Sequence, residues 1–129
     1  MKDGFIRIAA ASPTVKVADC ISNRENILEM IKAAEERDAS VIVFPELCVT
    51  GYTCGDLFLQ TKLIKEAAAS VKEIAEKTAD FDIISIVGFP FAVDFKLYNC
   101  AAVIFKGKVT AIIPKENIPN YSEFYEGRH

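Results

Sequence analysis

Two charged residues stand directly behind strand-like apolar runs, and each is led out of its run by a proline. Glu46 follows Val41–Phe44 (VIVF) and Pro45, and Lys115 follows the run ending in Ile112–Ile113 and Pro114. Proline fixes φ and has no N–H, so each run is stopped and its exit stiffened. In open α/β sheets, ligands gather beyond the carboxyl ends of the strands. A carboxylate and an ammonium delivered to one such edge would suit proton transfer beside an electrostatic stabiliser. The same residues also fit two unrelated charges at loop starts, and spacing alone leaves both readings open.

The elements that would position them can be read from periodicity. Phe5–Ser12 (FIRIAAAS) predicts a first strand, stopped by Pro13. Ser22 and Glu25 have capping-box spacing ahead of a stripe at Ile27, Met30, Ile31 and Ala34, which predicts a helix from about Ser22 to Arg37. VIVF is a short continuous run that suits a central strand covered on both faces. A second helix is expected over roughly Thr61–Thr78, with Ile64, Ala67, Ala68, Val71, Ile74 and Ala75 as its apolar stripe. Asp56, ahead of Leu57 and Phe58, reads as a helix N-cap. DIISIVGFP predicts a buried strand halted by Gly88 and Pro90. Leu97–Phe105 and Lys108–Ile113 flank Lys106-Gly107, a hairpin signal. The tail PKENIPNYSEFYEGRH reads as a loop. The order βαβαβ plus a hairpin predicts an α/β protein with a mixed sheet and helices packed on it.

Composition narrows the function classes. The chain has 129 residues, 51% hydrophobic and 26% charged, which is a packed chain and not a disordered one. Its net charge of −3 gives no basic footprint for nucleic acid. No apolar run reaches the ~18 residues needed to cross a bilayer, and Arg7 interrupts the N-terminal apolar stretch, so no membrane partner and a cytoplasmic location are expected. Cysteines stand at 20, 48, 54 and 100 without a CxxC, and the single histidine is His129. No metal site is expected. Cys48, two residues after Glu46, is the best nucleophile candidate present, but so short a separation suits a base and a separate nucleophile poorly; a buried thiol is the simpler reading. Cys54 reads as loop packing, and Cys20 and Cys100 as core.

FPELCVTGYTCGDLF and IIPKENIPNYSEFYEGR, with the opening FIRIAAASPTVKVADCISNRENI, resemble the carbon–nitrogen hydrolase (nitrilase) superfamily. Within it they look most like the glutamine amidotransferase domain of glutamine-dependent NAD synthetases. The resemblance spans essentially the whole chain, and ELCVTGYTCGDL is its most specific stretch. It implies a portion of a nitrilase-like α-β-β-α sandwich. Residues 1–129 would be the N-terminal portion of the glutaminase domain, with the rest of that domain and a synthetase domain lying outside them.

The resemblance also implies roles. Glu46 matches the general base and Lys115 the catalytic lysine of a Glu–Lys–Cys triad. Tyr52 and Tyr121 match positions lining a glutamine pocket. Glu123, eight residues after Lys115, matches a second glutamate that holds the lysine and positions substrate. The nucleophilic cysteine is expected beyond His129, so this chain alone is expected to be inactive. Glutamine and the synthetase domain of the same parent chain are the implied partners. ATP and Mg are implied only for that synthetase domain, and no cofactor for this chain. A sheet cut short would expose apolar surface and strand edges, so a homo-oligomer is expected. A stand-alone amidase or carbamoyl hydrolase would share the triad, and a non-catalytic α/β binding or assembly module would need none of it.

Overall fold

In a computed structural model of the chain, which describes residues 4–51, 61–94 and 96–115, the chain forms a five-stranded sheet with two helices. The elements are β1 (Ile8–Ala10), α1 (Cys20–Glu36), β2 (Val41–Val43), α2 (Thr61–Lys77), β3 (Ile84–Val93), β4 (Lys96–Phe105) and β5 (Lys108–Pro114). Spatial order follows chain order. β1, β2 and β3 run parallel through the two helical crossovers, and β4 and β5 add antiparallel. The expected mixed sheet with helices on it is therefore present.

Both helices bury one stripe. α1 buries Cys20, Asn23, Ile27, Ile31 and Ala34. α2 buries Leu63, Ala67, Ser70, Val71, Ile74 and Ala75, so Leu63 takes the place expected of Ile64. These stripes close over one face of the sheet, with Ile42, Val87, Phe89, Ala102 and Ile104 completing the core. Arg24 Nη1 also reaches Glu73 Oε2 at 2.6 Å, which ties α1 to α2.

Four sequence expectations need correction. α1 is not capped by a Ser22/Glu25 box; its N-cap is Asp19, whose carboxylate accepts the Ser22 N–H at 3.0 Å. The helix begins at Cys20, so Ser22 lies inside its first turn, while Asp19, at φ −101° and ψ 79°, stands just outside it where a cap must be. The first strand is shorter than Phe5–Ser12. β2 is not covered on both faces, for Val43 is 40% exposed, and Ile8 on the neighbouring β1 is 65% exposed. A continuous apolar run signals hydrophobic contact without saying which face supplies it.

The fourth correction bears on the site. β3 is not halted at Gly88 and Pro90 but runs on to Val93, paired with β4 from Ser85↔Ile104 to Val93↔Lys96. Pro90 stands opposite Asn99, whose backbone carbonyl is turned toward the other neighbour and accepts the Lys115 N–H at 2.8 Å. The ladder asks no donor of Pro90 at that position, so the ring is tolerated inside the strand.

β4 and β5 meet in the expected hairpin. Lys106 (φ 51°) and Gly107 (φ 83°) both take the left-handed conformation that two-residue hairpin turns require. The β4–β5 register shifts by one residue between Val103 and Ile104, a β-bulge that leaves Thr110 unpaired in the ladder. The Thr110 hydroxyl donates to the Val103 carbonyl at 3.0 Å.

Candidate active site

Glu46 sits in a tight turn just past β2. The ladder continues one residue beyond the strand through Phe44 N–H to the Ile86 carbonyl at 2.9 Å, and then Pro45 turns the chain away. Leu47 follows at φ 53°, left-handed for a branched residue, a conformation that costs roughly 1–2 kcal/mol. The turn is held by the Thr50 and Gly51 N–H groups, both donating to the Leu47 carbonyl at 3.2 and 2.8 Å.

The turn is also tied down from outside. Val49 N–H donates to the Gly88 carbonyl at 3.2 Å, and Ala18 N–H to the Thr50 carbonyl at 2.7 Å. Asn23, 1% exposed on α1, donates from its side-chain amide to the Val49 carbonyl (2.9 Å) and the Lys16 carbonyl (2.8 Å), and accepts the Lys16 N–H at 2.7 Å. A buried amide is stable only when satisfied, and here its satisfaction fastens two loops to one helix. Gly88 lies directly under the turn. A Cβ there would come 2.5 Å from Leu47 N and 2.8 Å from the Pro45 carbonyl oxygen, so the absence of a side chain lets the turn seat on β3.

Lys115 arrives from the opposite end of the chain, at the exit of β5, where its N–H is held by the Asn99 carbonyl. Its Nζ lies 2.6 Å from Glu46 Oε1, although 69 residues separate the two in sequence. The side-chain amide of Asn99, on β4, donates to the same oxygen at 2.6 Å. Each charged side chain is about one-third exposed, at 36% and 33%. Ion pairs this open contribute only about 0–1 kcal/mol to stability. The pair opens onto a cleft of about 280 Å³, lined by Phe44, Gly88, Asn99, Ala101 and Ile113 among others. A carboxylate able to hold a proton therefore stands against a fixed positive charge at the mouth of a small apolar cleft.

Cys48 does not share that cleft's chemistry. It is 2% exposed, its Sγ is directed to the Gly88 carbonyl at 3.7 Å, and burial pushes its thiol up to about 12. Such a thiol is no nucleophile at neutral pH. Cys20 and Cys100 are buried in the core as expected, and burial raises the Cys100 thiol as well. Tyr52, Tyr121, Glu123, Cys54 and Asp56 lie outside the described residues.

Comparison with known proteins gives this geometry a family. A model of the carbon–nitrogen hydrolases matches residues 7–124. The chain belongs to the carbon–nitrogen hydrolase family. Among curated relatives, this carbon–nitrogen hydrolase chain is 34% identical over 125 residues to glutamine-dependent NAD(+) synthetase of Mycobacterium tuberculosis (strain ATCC 25618 / H37Rv), covering 97% of this chain and 18% of that protein. It is 38% identical over 125 residues to glutamine-dependent NAD(+) synthetase of Aquifex aeolicus, covering 97% and 22%. The crystal structure of a glutamine-dependent NAD(+) synthetase from Cytophaga hutchinsonii superposes with a TM-score of 0.88 at 33% identity, over 95% of this chain and 21% of that one. An amidase from Nesterenkonia sp. shares the fold, with a TM-score of 0.76 at 22% identity over 92% and 45% of the two chains. The chain thus spans about a fifth of the length of the curated synthetases it matches.

The structure brings together Glu46 and Lys115, the two catalytic candidates. Three residues that shape the site were missed by sequence reasoning: Asn99, Asn23 and Gly88. Asn99 left a signal, since it is the polar residue inside the apolar run LYNCAAVIF, and a buried polar side chain needs a partner. Asn23 left a weaker one on the buried stripe of α1. Gly88 was read as a stop, when its place was to make room.

Proposed function

We propose that this carbon–nitrogen hydrolase chain supplies the base and the lysine of a glutamine amide hydrolase whose ammonia serves NAD synthesis from nicotinic acid adenine dinucleotide. The observation that carries the reading is the 2.6 Å pairing of Glu46 with Lys115 at the sheet edge, in a chain whose relatives include glutamine-dependent NAD(+) synthetases.

The chemistry follows from the groups. A thiol from outside these 129 residues attacks the side-chain amide carbon, and its proton passes to the Glu46 carboxylate. The carbonyl oxygen gains negative charge as the carbon becomes tetrahedral, and the Lys115 ammonium lowers the energy of that intermediate. Glu46 then returns the proton to the departing nitrogen, leaving ammonia and a thioester. Water, deprotonated by the same carboxylate, cleaves the thioester to glutamate and free thiol. The balance is glutamine plus water to glutamate plus ammonia, and it needs no cofactor in this chain. ATP and Mg belong to a synthetase domain of the parent chain. Burial of Cys48 supports a nucleophile from elsewhere, and Tyr52, Tyr121 and Glu123 are the candidates to line the glutamine pocket.

The test is substitution in the protein at the length its gene encodes, comparing glutamine and free ammonia as nitrogen source. Lys115→Ala is expected to lower glutamine-dependent NAD formation by about 10²–10³-fold and Glu46→Gln by about 10²–10⁴-fold, with ammonia-dependent formation retained. Retention of glutamine-dependent turnover in both variants overturns the reading. Hydrolysis of a different small amide with no NAD formation from either nitrogen source replaces it with a stand-alone amidase.

A further inference from the structure

We propose that Asn99 is a positioning residue that decides which oxygen of Glu46 carries the proton. The inference rests on the function proposed above and deepens it.

A carboxylate has two oxygens, and either can act as base unless the surroundings distinguish them. Here both donors, Asn99 Nδ2 and Lys115 Nζ, meet Oε1, each at 2.6 Å. Among the described residues no hydrogen bond reaches Oε2. Two charge-assisted hydrogen bonds lower the electron density available on Oε1 and take up its two lone pairs. Oε2 is left as the more basic oxygen. In the thiol step the S–H bond breaks and the Oε2–H bond forms; in the next, the Oε2–H bond breaks and an N–H bond forms on the departing ammonia.

Asn99 is built for this task in a way Lys115 alone is not. It is 7% exposed and lies on β4, paired on both sides, whereas a lysine side chain has four rotatable bonds. Its two polar ends do different work. The side-chain amide sets the rotation of the Glu46 carboxylate, and the backbone carbonyl fixes the Lys115 N–H at 2.8 Å. One residue thereby sets the acid and the amine relative to each other, and substitution of its side chain removes only the first of these contacts.

The test has two arms. In this 129-residue chain, the side-chain NH₂ resonances of Asn99 are followed by NMR in Glu46→Gln, with Glu25→Gln as control. The Asn99 amide protons are expected to move upfield in Glu46→Gln and to stay in place in Glu25→Gln. In the protein at its encoded length, Asn99→Leu and Asn99→Asp are expected to lower kcat for glutamine hydrolysis by about 10²-fold, the scale of an ångström-level misplacement, with KM near that of the parent. An Asn99 amide indifferent to Glu46→Gln overturns the proposal without any activity measurement, even where the Asn99 variants fail to fold. A parent that hydrolyses glutamine and folded Asn99 variants that match its kcat overturn this proposal alone. A parent that hydrolyses no amide overturns the proposed function, and this inference with it.

Discussion

Gly88 lies so close beneath Leu47 that no side chain fits between them: a Cβ on Gly88 would stand 2.5 Å from the Leu47 nitrogen. Those are backbone atoms, which cannot swing aside as a side chain can. Gly88→Ala must therefore lift the turn that carries Glu46. The expected cost is about 1–3 kcal/mol of stability, as in other overpacked cores, together with loss of the Glu46–Lys115 contact. Chemical denaturation and a crystal structure of the variant check both.

Asn23 fastens the same turn from the helix side. Asn23→Ala leaves the buried Val49 carbonyl and the Lys16 backbone without their side-chain partner. An orphaned buried polar group costs roughly 1–3 kcal/mol, and urea denaturation of the variant should show a loss of that order. Asn23→Asp is not a rescue, because a carboxylate cannot donate to two carbonyls.

Cys48 should be inert in the folded chain. Its thiol is pushed up to about 12 by burial, and a buried neutral thiol is slow to alkylate. Iodoacetamide at pH 8 followed by peptide mapping should leave Cys48 unmodified until denaturant is added. Rapid modification under native conditions would reopen it as a nucleophile.

The cap of α1 makes stability depend on acid. The Ser22 N–H holds the Asp19 carboxyl below its ordinary range, with the Ser22 hydroxyl adding to it. A carboxyl lowered in the folded state contributes stability above its unfolded value of about 3.9 and loses it as pH falls through the folded value. Asp19→Ala should therefore lower Tm at pH 7, and the gap to the parent should narrow as the pH drops below about 4. A gap independent of pH would show that the carboxylate is not the cap.

The proposed function places the nucleophile outside these 129 residues, so the chain on its own should release no ammonia from glutamine above background, a missing nucleophile in a hydrolytic triad costing on the order of 10⁶ in turnover. A coupled ammonia assay with a reference amidotransferase checks this. Turnover near the reference rate would mean that a cysteine within these residues serves.

What the sequence made legible was set by how local each signal is. The two helices, the Lys106-Gly107 turn and the positions of Glu46 and Lys115 behind their prolines are written within a few residues each. The full length of β3 was not, because Gly88 and Pro90 are stop signals in isolation. What overrides them lies elsewhere in the chain: the turn over Gly88, and the carbonyl of Asn99 that faces away from Pro90. The same holds for Asn99 and Asn23, whose partners lie 53 and 26 residues away. Strand-end placement alone left Glu46 and Lys115 open to being two unrelated charges; the family resemblance put them in one triad, and their hydrogen-bonded contact required the strands to be placed.

The bulge at Thr110 has a consequence for that contact. Up to Val109 the hairpin pairs Phe105 with Lys108 and Ile104 with Val109, and beyond it Val103 meets Ala111 and Cys100 meets Pro114. Had Thr110 taken its own place in the ladder opposite Val103, Pro114 would have come opposite Asn99. Proline has no N–H to give the Asn99 carbonyl, and the lysine would have emerged one step farther along, on the reverse side of the ribbon. A single surplus threonine thus works as a frameshift in the strand, and it is this offset that brings an ammonium and not a pyrrolidine ring to the carboxylate.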